Sequence, residues 1–159
     1  MRANQRLIAS DGYEVMLFPF DEMYISQGEH GGYCIDFVGW SPVSGQIAKY
    51  PYYAPCDCKL IWYDLSTGEG MWQSINKVRF ANGNIDYATF VTVHDNSFDA
   101  QKTMGSTIPQ GEQLGNMGTK GNAIGVHCHI EIAQHKYDIS NWHKNSYGNW
   151  CFPNETDTD

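Results

Sequence analysis

Apolar and polar residues alternate with a period of two in several stretches of the chain, most clearly in Val126-His127-Cys128-His129-Ile130-Glu131-Ile132. Val126, Cys128, Ile130 and Ile132 fall on one face and His127, His129 and Glu131 on the other, the pattern of a half-buried strand. Side chains two residues apart stand roughly 6.6–6.8 Å from each other along one face of a strand. Two imidazoles and a carboxylate therefore form a row with an apolar backing. Tyr13 to Phe18 reads as a strand entry stopped by Pro19, Tyr33 to Val38 as a strand, and Ala54 to Trp62 as a turn running into a strand. Met71 to Phe80 and Ile85 to His94 predict two strands joined by the hairpin turn Ala81-Asn82-Gly83-Asn84, with His94 at the end of the return strand. Residues 21–33, rich in glycine towards their end, read as a loop. Trp40, Tyr50, Tyr52 and Tyr53 sit among turn residues, residues 98–123 are turn-rich, and Asn141 to Ser146 reads as a short helix or loop.

Composition agrees with a mainly β chain: 16 glycines, 14% aromatic residues and scattered prolines favour strands and turns over helices. A length of 159 residues suits one domain with a real core. No apolar run is long enough to span a membrane, and Met1 to Arg6 is not followed by the long apolar run of a signal peptide. A net charge of -8 argues against a nucleic-acid partner, which needs a basic face. The same charge is repelled at long range by an acidic wall polymer, so action on such a surface predicts a separate targeting element. The acidic end, Asn154 to Asp159, reads as a linker stub after a domain of residues 1–153 and predicts a further, wall-binding domain beyond it. Five cysteines, an odd number, point to thiols and a reducing compartment of synthesis. Cys56-Asp57-Cys58 lacks the two-residue gap of paired zinc cysteines and reads as part of a strand.

Two features carry candidate chemistry. Neutral imidazole is a zinc ligand and relays protons near neutral pH, which makes His127 and His129 candidates; a solvated polar face is the alternative. Asp36 sits inside an apolar strand pattern, where a carboxylate is costly to bury unless it is paired or binds a metal; facing solvent is its alternative. His135 and His143 lie in polar surroundings and read as surface residues.

Taken in chain order, five pieces resemble the lysostaphin-like zinc endopeptidases, phage endolysins in particular. They are His30-Gly31-Gly32-Tyr33-Cys34-Ile35-Asp36-Phe37, Ala54-Pro55-Cys56-Asp57-Cys58-Lys59, His94 closing a strand, Pro109 to Thr119, and His127-Cys128-His129-Ile130-Glu131. The resemblance covers about residues 20–133. It implies antiparallel sheets forming a folded sandwich or half-barrel, with loops walling a groove over a metal. It implies Zn²⁺ held by His30, Asp36 and His129, with a coordination place left for water, and His94 and His127 as unliganded catalytic histidines. The His30 to Asp36 spacing is six, against four in much of the family. Glu131 is a candidate base by analogy with other zinc hydrolases, or a residue that orients a ligand. Tyr24, Tyr33 and Trp40 flank the first motif, as packing residues or as part of the groove.

The implied function is zinc-dependent hydrolysis of a peptide bond in the cross-bridge or stem peptide of bacterial peptidoglycan. It would be carried out by a monomer made in a host cytoplasm and acting on the cell wall. Three alternatives are a degenerate member regulating another wall hydrolase, a wall-binding β module, and an amidase cutting the sugar–peptide link.

Overall fold

Strand residues dominate the computed structural model, which describes residues 1, 3–30, 34–47, 50–97, 104–146 and 148–153, and no helix occurs among them. In chain order the strands are β1 (Glu14–Val15), β2 (Met23–His30), β3 (Cys34–Ser41), β4 (Gly45–Ile47), β5 (Pro51–Tyr53), β6 (Cys58–Asp64), β7 (Glu69–Ser74), β8 (Val78–Arg79), β9 (Ile85–Asp86), β10 (Ala88–Val93), β11 (Thr107–Ile108), β12 (Gln113–Asn116), β13 (Cys128–Gln134), β14 (His143–Lys144) and β15 (Trp150–Cys151). The main sheet is antiparallel, in the order β11-β6-β7-β10-β13-β3-β2, with β4 added on β3. Small sheets of β1-β8-β9, β12-β5 and β14-β15 flank it.

Both faces of the central strands are covered, and alternation decides which residue joins which core. Trp72, Phe90, Ile130 and Ile132 point to the larger core with Phe20, Phe37, Tyr52, Leu60, Leu114 and Met117. Their neighbours Met71, Val91 and Ala133 point the other way, into a smaller core closed by Trp142 and Phe152. The C-terminal segment is thus a lid over one end of the second face. The same alternation leaves the other end of that face uncovered, and the histidines stand there.

The predicted hairpin forms. Arg79 pairs with Ile85 across the Ala81–Asn84 turn, and β7 pairs with β10 along their lengths. Three local expectations are revised. Residues 23–30 form a strand, because β3 offers its free edge and backbone pairing there outweighs the glycine content. Bulges between Ile25 and Gln27 and between Gln27 and His30 absorb the irregular pattern. The stretch 71–80 breaks into β7 and β8, which serve different sheets. Asn141 to Ser146 is neither helix nor loop throughout, since it carries β14. The acidic segment 154–159, together with Gly31, Gly32 and Tyr33, lies outside the described residues. All five cysteines are buried and none is in a disulfide; Cys56 and Cys58 belong to the larger core.

Candidate active site

Strand register brings the distant motifs together. Asp36 on β3 is the direct partner of His129 on β13, and His129 is in turn the partner of Val93 on β10. On the other side of β3, His30 pairs with Cys34. One row across three strands therefore reaches from the first motif to His94, which follows Val93.

Asp36 is the hub. It is 7% exposed, and its Oδ1 accepts a hydrogen bond from His129 Nδ1 at 2.9 Å. His30 Nε2 lies 3.7 Å from the same oxygen, and His127 Nε2 lies 3.7 Å from Oδ2. Burial opposes ionisation of Asp36. The hydrogen bond from His129 and the nearby His129, His127 and His30 rings outweigh it, and its pKa falls below the usual carboxylate value.

The imidazoles are oriented by backbone carbonyls. Nδ1 of His30 meets the carbonyl of Gly28 at 2.8 Å, Nδ1 of His94 that of Lys120 at 2.7 Å, and Nδ1 of His127 that of Gly125 at 3.0 Å. A carbonyl only accepts, so each of these Nδ1 atoms carries a proton, and in the neutral ring Nε2 is the nitrogen left with a lone pair. His129 differs, since its Nδ1 is turned to Asp36. His30 and His129 thus approach the same carboxylate oxygen, whereas His127 approaches the other. The His94 ring lies 4.4 Å from that of His127 and 6.1 Å from that of His129. Burial, with the neighbouring His127 and His129 rings adding to it, pushes the His94 pKa down to about 4 against the bond to Lys120, so His94 is neutral at neutral pH.

His94 is held in an unusual backbone state, with φ at +78°. Its carbonyl accepts from Lys120 N–H, and a Cβ at Gly118 would sit 2.2 Å from that carbonyl oxygen, so the chain there passes at a distance open only to glycine. Asp95 anchors the next position. It is wholly buried and accepts from Tyr52 Oη at 3.0 Å, Asn116 N at 2.9 Å and Ser97 N at 2.8 Å.

These side chains open into a groove of about 1040 Å³. Tyr24, Gln46, Trp62, Glu69, Trp142 and Trp150 are among the residues that wall it. Of the aromatic residues flanking the first motif, Tyr24 faces the groove, Trp40 packs edge-on against it at 5.3 Å, and Tyr33 is outside the described residues. Glu69, partly buried in this wall, has its pKa raised to about 7 by burial, with a smaller contribution from Asp64.

The predicted residues His30, Asp36, His94, His127 and His129 are all gathered at one end of the sheet. Glu131 is not among them, although it shares their face. It is fully buried beneath the C-terminal segment, where Oε1 accepts from Phe152 N–H at 2.8 Å. His135 and His143 are exposed, and His135 pairs with Asp86. Cys34 is the residue that motif reading passed over. Its ligand atom and those of His30 and His129 lie within 4.8 Å of one another. The signal was present, since Cys34 is two residues from Asp36 and so shares its strand face. Imidazole nitrogen, carboxylate oxygen and sulfur together fit zinc, whereas magnesium and calcium favour oxygen alone.

Comparison with known proteins sharpens this picture. No family model matches the sequence. Morphogenesis protein 1 of Bacillus phage B103 is 37% identical over 131 residues, covering 79% of this chain and 34% of that protein. The fold is shared with a zinc-containing peptidase from Vibrio cholerae, at TM-score 0.52 and 15% identity over 80% of this chain and 42% of the other. It is also shared with a candidate peptidase M23 from Pseudomonas aeruginosa, at TM-score 0.50 and 22% identity over 83% and 49%. The chain thus spans about a third of the length of its phage relative and less than half of either solved chain. The mainly β, antiparallel peptidase architecture expected from the motifs is the one observed.

Proposed function

We propose that this chain is a zinc-dependent endopeptidase module that hydrolyses a peptide bond in the cross-bridge or stem peptide of bacterial peptidoglycan. One observation carries the reading: His30 Nε2 and His129 Nδ1 converge on Asp36 Oδ1 while His94 and His127 stand side by side in the same groove. The fold shared with a zinc-containing peptidase supports it.

In this reading His30, Asp36 and His129 hold the ion, and His94 and His127 remain unliganded. Zinc, when bound, supplies Lewis acidity toward a carbonyl oxygen and toward water. The groove holds the peptide in reach of both free rings. Both rings have Nδ1–H committed to a carbonyl, so each offers only the Nε2 lone pair until it takes up a proton. A ring that has accepted a proton from water can then donate it through Nε2 to the leaving amine or to the oxyanion. Burial holds His94 in its neutral form, with its Nε2 lone pair free. The carbonyls of Lys120 and Gly125 fix the orientation of the pair.

The setting we favour is lysis of a host cell by a phage protein made in the host cytoplasm and delivered to the wall by a further domain. The name of the phage relative favours a second setting, in which the domain is built into the phage particle. Immunoblotting of purified particles separates the two: the chain present in stoichiometric copies supports the particle, its absence supports the lysin.

The chemical reading is tested by digesting purified wall and identifying the products by mass spectrometry. New amino termini within the bridge or stem are expected. Free stem peptides released from sugar would show an amidase instead, and wall binding without cleavage a binding module.

A further inference from the structure

We propose that Cys34 is a fourth ligand of the same centre, so that the resting ion is held by His30, Cys34, Asp36 and His129 in a mixed nitrogen, sulfur and oxygen shell. The inference rests on the metal-binding reading above and extends it.

Ladder geometry places sulfur there. Cys34 and Asp36 are two apart on β3 and share its groove face, and both line the groove. Cys34 is the direct cross-strand partner of His30, and Asp36 that of His129. The four donors thus occupy neighbouring rungs of three adjacent strands. The ligand atoms of His30, Cys34 and His129 already lie within 4.8 Å of one another. The Cys34 thiol donates to the carbonyl of His30 at 2.8 Å, which ties the sulfur to the residue whose Nε2 faces the site. Cys34 is 2% exposed and lines the groove from which the ion would reach it.

Chemistry makes the set coherent. Thiolate is a strong ligand for zinc, and four protein donors complete its tetrahedral preference. On coordination the thiol gives its proton to solvent and the sulfur exchanges its hydrogen bond to His30 for a bond to the metal. A shell closed by four side chains is that of a structural zinc site, whereas a hydrolytic one keeps a place open. Turnover then requires one donor to step back. On leaving the metal the Cys34 sulfur takes back a proton from water and donates again to the His30 carbonyl, which gives it a place to step back to.

The test is spectroscopic and needs no turnover. Zinc X-ray absorption and the electronic spectrum of the cobalt-substituted protein are recorded for the wild type, Cys34→Ala and His129→Ala, with folding checked by circular dichroism. The expected result is one sulfur at about 2.3 Å in the wild-type zinc shell and a thiolate-to-cobalt charge-transfer band, both lost in Cys34→Ala. A wild type that binds one metal through nitrogen and oxygen only overturns the proposal and leaves the His30, Asp36 and His129 site standing. A sulfur signal that persists in Cys34→Ala overturns it as well. A wild type that binds no metal removes both readings.

Discussion

His129 and Glu131 are two residues apart on β13, face the same way, and live in different environments. His129 looks into an open groove and bonds Asp36, whereas Glu131 is sealed under Trp142 and Phe152 and bonds the backbone of the segment that covers it. One strand face thus has a reactive end and a structural end, divided by where the C-terminal lid stops. The contrast teaches that a polar row marks a face of a sheet and not a function. What covers each position decides whether its carboxylate or imidazole meets substrate or supports the fold.

Substitutions at the two ends should therefore separate cleanly. The largest effect is expected for His129→Ala, which should lose most bound zinc, measured by inductively coupled plasma mass spectrometry, and with it nearly all wall hydrolysis. Next, His127→Ala should keep the metal and lose about 10²–10⁴-fold in kcat, the range for loss of a positioned acid or base. If zinc disappears from His127→Ala and stays in His129→Ala, the ligand and the free histidine are exchanged.

Glu69 tests the groove wall through stability. Its folded pKa of about 7 lies above the usual 4.5, so the fold prefers the protonated form. Stability from this residue is fully present below pH 4.5 and is lost as pH rises towards 7, by up to about 3 kcal/mol. Glu69→Gln should be more stable than wild type at pH 8, with a gap that shrinks on approach to pH 4.5, as read from urea midpoints. A gap independent of pH would place the titration elsewhere. The smallest effect is expected at the buried end: Glu131→Leu leaves the Phe152 N–H without its acceptor, at a cost of about 1–3 kcal/mol in urea unfolding. Its zinc content should equal that of wild type, and loss of the metal there would erase the division between the ends.

Part of the site was legible because it has a local signature, whereas His30, in a stretch that reads as a loop, stood out only through the resemblance to a family. The alternation around His127 and His129 needs no tertiary information, and the Ala81–Asn84 turn sets the register that leaves His94 at a strand end. Asp36 was conspicuous as a carboxylate in an apolar strand. Cys34 was harder to find, because in a strand a cysteine reads as a small apolar residue until a histidine is known to lie across from it. Strand β2 was also hidden: its residues have no clear period of their own, and it is a strand because an unpaired edge of β3 lies beside it.

Residue order alone thus settled the strand-rich class and the two-faced pattern of β13, since these depend on side-chain type and a repeat of two, whereas His30 and His94 were singled out only by the resemblance to a family. Only the folded chain decided that Asp36 faces His129, that Cys34 faces His30 and that Glu131 is sealed under Phe152. Those pairings join residues 93, 4 and 21 positions apart. They follow from which strands neighbour each other in the sheet and from where the C-terminal segment lies across it, and no local periodicity encodes either.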